Sequence, residues 1–309
     1  MHYAAIALTG RCGVVLAVMF ASASTQESSL TSTRRNLMPV PEAVRFRGAP
    51  LPIDRTFTVA LRGPAGPADP RVQRAASRFL ERLGRQTGIP VPIKVELDPA
   101  HATLLIEHFE SVPEVQRAIE DESYTLEVDA AGAALRAPTP YGVLRGIETF
   151  LQLVEVDAPP ASAAGVDRAS TMTNLEPEPK DFIVPGVEIH DVPRFPWRGL
   201  LIDPGRHYLS INVMKRNLDA MAAVKLNVLH WHLSEDQGFR VESRVFPKLH
   251  KFGSGGYYYT QEEIRDLIAY AHDRGIRVMP EFDMPGHATS WFVGYSELAS
   301  APGPYEIIE

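Results

Sequence analysis

The chain has 309 residues, 45% hydrophobic and 22% charged, a balance that excludes a disordered protein and leaves room for two cores. Its formal net charge of −7 presents no basic face to nucleic acid or to an anionic membrane, so a neutral or weakly polar ligand is expected.

Residues 1–23 read as an export signal: Arg11 precedes an apolar run over 13–21, and Ala21-Ser22-Ala23 forms a small-x-small cleavage pattern before polar Thr25-Gln26-Glu27. The apolar run is too short to span a bilayer, so a secreted, periplasmic or lysosomal/vacuolar protein is expected. The single cysteine, Cys12, falls inside this segment, which leaves the mature chain with neither a disulfide nor a cysteine nucleophile.

Residues 38–156 mix helices and strands without regular alternation, as an α+β domain does. The spacing of Val72, Ala75, Ala76, Phe79, Leu80 and Leu83 predicts an amphipathic helix over 71–88 that stops at Gly88, its arginines forming a solvated face. Strands are expected over 103–108 and 124–128, and a second helix over 141–154. Residues 157–186 read as a linker, rich in proline, alanine, serine and acidic residues up to 180.

The remaining span, 187–309, alternates strand and helix: strand 199–203, a helix over 211–224 capped by Ser210, strand 227–233, and a long loop holding Gly253, Gly255 and Gly256. A helix opened by the capping box Thr260-Gln261-Glu262-Glu263 then runs to Gly275, and strand 277–282 follows. That order opens a (β/α)8 barrel or a doubly wound sheet. No glycine-rich phosphate loop follows any strand, which favours the TIM barrel. A barrel needs about 250 residues. The expectation is therefore an α+β accessory domain followed by the first three β/α units of a barrel that is incomplete.

Each of the three strands ends abruptly in charged or imidazole side chains, which is how a β/α unit reads when its chemistry sits at the strand ends. Arg206, three residues after Asp203, either forks onto adjacent sugar hydroxyls or simply pairs with Asp203. His230 and His232 share a face, with Glu235 and Asp236 just past the strand end. Such a His-x-His also suits a divalent metal, with Asp283 and His287 as further ligands, the signature of a metal-dependent barrel hydrolase. The bland alternative is a histidine hydrogen-bonded inside the barrel. His287 follows Asp283 by four residues across Met284-Pro285-Gly286, a turn that would present the imidazole over the strand ends, where a neighbouring carboxylate would fix its tautomer.

The motifs RGLLIDPGRHYLS, KLNVLHWHLSEDQGFR and RGIRVMPEFDMPGHATSW closely resemble the first three barrel units of glycoside hydrolase family 20, the β-N-acetylhexosaminidases. The upstream ESYTLEVDAAGAALRAPTPYGVLRGIETFLQLV is similar to that family's accessory domain. The resemblance covers about residues 38–309. It implies removal of a terminal N-acetylhexosamine from glycans or chitooligosaccharides with retention, the sugar's own acetamido oxygen attacking the anomeric carbon; family 20 is a recognised exception to the two-carboxylate scheme. No cofactor and no metal are implied. An Asp-Glu pair carries the reaction in the family. By position, Arg206 matches the arginine that holds the sugar hydroxyls, His287 a histidine that supports the acid/base glutamate, and Glu235 the carboxylate partner, with His232, Asp236 and Asp283 in support.

Two departures qualify the resemblance. The family more often has Asp-Asp where this chain has Glu235-Asp236, and the Asp-Glu pair that normally follows the fourth strand has no counterpart in these residues. The 309 residues by themselves are therefore expected to be an inactive fragment of a longer parent, for which a homodimer is the expected assembly. The alternatives are a non-catalytic sugar-binding or partner protein and the metal-dependent hydrolase.

Overall fold

Two sheets organise the chain in the computed structural model, which describes residues 37–308 apart from 65, 97–98, 114, 118 and 158–180. The expected export signal and most of the expected linker lie outside the described residues. In the first part, the elements are β1 (Ala43–Phe46), β2 (Leu51–Ile53), β3 (Val59–Arg62), α1 (Pro70–Thr87), β4 (Val95–Glu96), β5 (Leu104–His108), β6 (Tyr124–Asp129), β7 (Gly132–Ala137), α2 (Pro140–Leu153), β8 (Glu155–Val156), β9 (Phe182–Val184) and β10 (Val187–Asp191). Seven strands form a mixed sheet in the order β1-β10-β6-β7-β5-β3-β4, and β2-β9-β8 form a small second one.

The structure moves the expected boundary. Residues 187–191 do not open the barrel: β10 lies antiparallel between β1 and β6, its Val187, Ile189 and Asp191 turned inward and Glu188 and His190 outward. Residues 182–184 likewise belong to a strand rather than the linker, paired with both β2 and β8. Both strands are too short for their alternation to stand out in sequence.

Helix α1 starts where Asp69 accepts the Arg71 amide at 2.8 Å with Pro70 at the first helical position, and stops at Gly88, whose φ of +74° suits glycine. Its predicted apolar stripe is wholly buried, with Phe79 packed edge-on against Phe150 at 5.4 Å between ring centroids. The arginines form the expected solvated face only in part: Arg74 and Arg85 are exposed, yet most of the others are drawn into ion pairs. Arg71 is buried against Asp69 and Tyr141, Arg74 forks onto Asp273, Arg78 donates to the Asp273 carbonyl, and Arg82 pairs with Glu148. Apart from Asp69, their partners lie on distant parts of the chain, which no helical period reveals.

Beyond β10 come β11 (Gly199–Ile202), α3 (Ile211–Ala223), β12 (Val228–His232), β13 (Ser234–Glu235), β14 (Gly238–Phe239), α4 (Lys248–Gly253), α5 (Gln261–His272), β15 (Arg277–Glu281) and α6 (Thr289–Gly294). Strands β11, β12 and β15 run parallel, side by side in chain order, as successive β/α units do. Met214, Leu218 and Met221 of α3 and Leu267 and Ala271 of α5 are buried with Leu229 and Trp231 of β12. Thr260 and Glu263 form the expected capping box, whereas Ser210 stands at the N-cap of α3 without a side-chain capping bond. The expected long loop instead contains the β13–β14 hairpin and α4.

A buried polar network joins the mixed sheet to the amino-terminal ends of the parallel strands. Glu122, 4% exposed, accepts Arg145 Nε and Nη2 at 3.1 and 3.0 Å, Asn227 Nδ2 at 3.0 Å, and a close contact from Arg198 Nη2. Arg145 also donates to the Gly275 carbonyl at 2.7 Å, immediately before the segment that leads into β15. Lys225, in the left-handed region at φ +60°, reaches the Tyr124 hydroxyl at 2.8 Å and Asp191 at 3.2 Å. Burial works against the Glu122 carboxylate, but Arg145 and then Arg198 outweigh it and bring its pKa down from 4.5 to about 2.

A carboxylate depressed in the folded state stabilises the fold above its unfolded pKa and loses that contribution as pH falls through the folded one. Stability measured by urea unfolding is therefore expected to drop by about 3 kcal/mol between pH 4.5 and 2, and Glu122→Gln to flatten that slope and to destabilise the neutral-pH protein by about 3–5 kcal/mol.

Candidate active site

Register sets the site. Because β12 and β15 pair His230 with Met279 and His232 with Glu281, the two histidines and Glu281 share one side of the sheet at its carboxyl end. His230 Nε2 lies 2.6 Å, and His232 Nδ1 2.8 Å, from the same oxygen, Glu281 Oε2. Burial disfavours the His232 imidazolium, but the hydrogen bond to Glu281 and the charges of Asp203, Glu281 and Asp283 more than compensate, so its pKa is raised; that of Glu281 is lowered, first by the His232 bond.

The β13–β14 hairpin, with Ser234 opposite Phe239 and Glu235 opposite Gly238, turns Glu235 into the interior, where it is 1% exposed. Three cationic or imidazole groups face its Oε1. Arg206 Nη2 is in close contact, His287 Nδ1 lies at 2.8 Å, and His232 Nε2 at 3.5 Å. The other oxygen, Oε2, accepts the Asp236 amide at 2.9 Å, and the Glu235 carbonyl accepts the Ser290 hydroxyl at 2.5 Å.

Arg206 is held from a second side by Asp203, which accepts the Arg206 amide at 2.9 Å and its Nη1 at 2.5 Å. Both sequence readings of Arg206 thus meet in one side chain: it pairs with Asp203 and still leaves 54% of itself exposed. Gly205 makes the approach possible, since a Cβ there would stand 3.0 Å from Glu235 Cβ and 3.1 Å from Asp203 Oδ1. His287 adopts φ +56°, a left-handed conformation that the turn after Pro285 imposes, and its half-exposed ring meets Glu235. Asp283, four residues earlier, instead donates its amide to the Ser234 hydroxyl at 3.2 Å. Asp236 accepts the Thr289 amide at 2.9 Å; bonds from Thr289, followed by the charges of His287 and Arg206, lower its pKa.

The four residues expected to ligate a metal, His230, His232, Asp283 and His287, do not gather round one point. Among the described residues His230 belongs to no trio of ligating atoms close enough for a single ion, and His287 turns to Glu235. The strand explains this: residues two apart share a face but are separated along it, and Glu281 sits between the rings.

Two residues that shape the site escaped the sequence reading. Glu281 lies within the predicted strand 277–282 and closes β15, and in-register counting against His232 would have found it. Arg240 carried no such signal. Its guanidinium, 5% exposed, donates to the carbonyls of Pro204 and Gly205 at 2.8 and 2.9 Å and to those of Ser254 and Tyr257 at 2.7 and 3.0 Å. It therefore ties the turn that carries Arg206 to the loop before α5.

Parallel β/α units whose strand ends crowd carboxylates, imidazoles and one exposed guanidinium are arranged as the strand-end sites of barrel enzymes are. The family model for glycosyl hydrolase family 20, domain 2, matches residues 34–192, and that for the family 20 catalytic domain matches 195–306. The chain belongs to glycosyl hydrolase family 20. It is 46% identical over 180 residues to the β-hexosaminidase subunit beta of Sus scrofa, covering 58% of this chain and 30% of that protein. To the β-hexosaminidase of Porphyromonas gingivalis it is 30% identical over 280 residues, covering 88% and 33%. Among solved structures, the Flavobacterium johnsoniae chitobiase superposes with a TM-score of 0.75 at 39% identity, over 88% of this chain and 38% of that one. The Streptomyces plicatus N-acetyl-β-hexosaminidase gives 0.68 at 31%, over 88% and 51%. The chain thus spans about a third of the length of the first two relatives.

Replacing Arg240 by Met leaves four or more carbonyls without their charged donor, so a loss of about 2–4 kcal/mol is expected in urea unfolding. Hydrogen exchange should rise at 205–206 and 254–257 and not in α1.

Proposed function

We propose that these residues form the sugar-gripping side of a site that removes terminal, non-reducing N-acetyl-β-D-hexosamine from glycans or chitooligosaccharides. One observation carries the reading: Glu235 Oε1 is shared by Arg206 and His287, which come from the ends of different strands. Arg206, locked by Asp203 and Glu235 along one edge, keeps its outer N–H groups for adjacent sugar hydroxyls, a fork that no lysine reproduces. His287, with Nδ1 directed to Glu235, holds Nε2 outward to support an acid/base carboxyl group. Glu235 is the common anchor, Glu281 orients His232 beneath it, and Asp236 ties α6 to the same corner.

In this reading the acetamido oxygen of the sugar is the nucleophile, and an Asp-Glu pair orients it and moves the proton. None of the described residues takes the place of that pair, and Glu306 is exposed. The chain alone is accordingly read as inactive, and the segment at 1–23 as directing export. The composition of the site, with a buried carboxylate already neutralised by Arg206, also favours an uncharged sugar over an anionic one.

Titration of N-acetylglucosamine, followed by NMR of the histidine rings and arginine side chains, tests the reading. The expected result is millimolar binding that perturbs Arg206 and His287, weakened at least tenfold in Arg206→Ala; perturbation elsewhere, or equal affinity in the variant, would count against it. The 309-residue chain assayed with a nitrophenyl N-acetyl-β-glucosaminide should release nitrophenol no faster than buffer, and turnover would contradict the inactive reading.

A further inference from the structure

The His232 ring is 6% exposed and its Nδ1 is committed to Glu281, yet its Nε2 is buried without a hydrogen bond. That atom lies 3.5 Å from Glu235 Oε1, and one ligating atom from each of Asp203, His232 and Glu235 lies within 4.8 Å of the others. The 3.5 Å between His232 Nε2 and Glu235 Oε1 matches the edge of a tetrahedron around an ion bonded at about 2.1 Å, the ordinary length for zinc with nitrogen or carboxylate ligands. The outer support such a ligand needs is already built. Glu281 accepts from the far nitrogen of the ring and is itself held by His230 at 2.6 Å, the carboxylate–imidazole pairing that turns a histidine lone pair toward a metal. Charge points the same way, since five carboxylates, Asp203, Glu235, Asp236, Glu281 and Asp283, crowd these strand ends against two guanidinium groups, the exposed Arg206 and the buried Arg240.

We propose that a divalent transition-metal ion such as zinc binds at His232 Nε2, Asp203 and Glu235, and that it does so by displacing the Arg206 guanidinium from both carboxylates. The ligand set differs from the His-x-His quartet that the structure disperses. Its role differs too: the ion competes with the arginine that grips the ligand, so it inhibits rather than catalyses. The displacement is feasible because Arg206 is more than half exposed, while the three ligands sit on strand ends and a hairpin that do not need to move. Competition with an amino sugar follows from the proposed function, whereas ion binding does not depend on it.

Calorimetric titration of zinc chloride into the untagged 309-residue chain at pH 8 decides the matter. One ion per chain is expected, with at least tenfold weaker binding in His232→Gln and in Glu281→Gln. Arg206→Ala, at an exposed position, should bind zinc more tightly, which mere unfolding of a variant cannot mimic. No zinc binding, unchanged affinity in His232→Gln, or weaker binding in Arg206→Ala would each overturn the proposal. Zinc binding that follows this pattern but is indifferent to N-acetylglucosamine would instead tell against the sugar site.

Discussion

A carboxylate taken out of water must be paired, and that requirement at Glu235 organises the strand ends. The side chain is 1% exposed, so its charge has to be met inside the protein, and the groups that meet it come from separate β/α units: Arg206 from the turn after β11, His232 from β12 and His287 from the turn after β15. Arg206 and His287 lie on separate turns, whereas His232 is fixed within β12. Tied to one oxygen, they become a single surface whose outer edge, the exposed part of Arg206 and His287, is fixed before any ligand arrives. The hydrogen bonds around Glu235 extend the same logic, since Asp236, Ser290 and the Gly205 approach all constrain the hairpin that carries it.

The opposite end of the parallel strands is held by a second buried carboxylate. Glu122, with Arg145, Arg198 and Asn227, joins the mixed sheet to the starts of β11, β12 and β15, and α1 adds its arginines along Asp273. Packing two sheets through ion pairs costs desolvation that apolar contact would avoid, but it ties the docking to one geometry because Glu122 accepts from Arg145, Arg198 and Asn227 at once. The accessory sheet thereby sets the frame within which the strand-end turns are aimed. Arg240 does the same work locally, taking carbonyls from two loops onto one guanidinium.

How far the sequence revealed this depended on how local each feature is. The stripe of α1, the capping box at Thr260 and the parallel strands were legible because their signals repeat within a few residues. Residues 187–191 read as part of the barrel span because the partners of β10 lie about 60 residues back on β6 and further still on β1. At the site, Arg206, Glu235 and His287 could be named from motifs, yet their meeting on one oxygen could not, because it depends on the depth at which the hairpin buries Glu235. Where the family more often has aspartate, the longer Glu235 side chain reaches His287 at 2.8 Å while also contacting Arg206. Arg240 and Glu281 were missed for opposite reasons, one having no local signal and the other having one that register counting would expose.

The most direct test of the shared anchor is nitrogen-15 NMR of the Arg206 guanidinium and the His287 ring in the native chain and in Glu235→Gln. If one buried carboxylate holds both, removing its charge must shift and broaden the two sets of signals together, with α1 unaffected. A change confined to Arg206 with His287 unmoved, or the reverse, would show that the two side chains are positioned independently and would contradict the account.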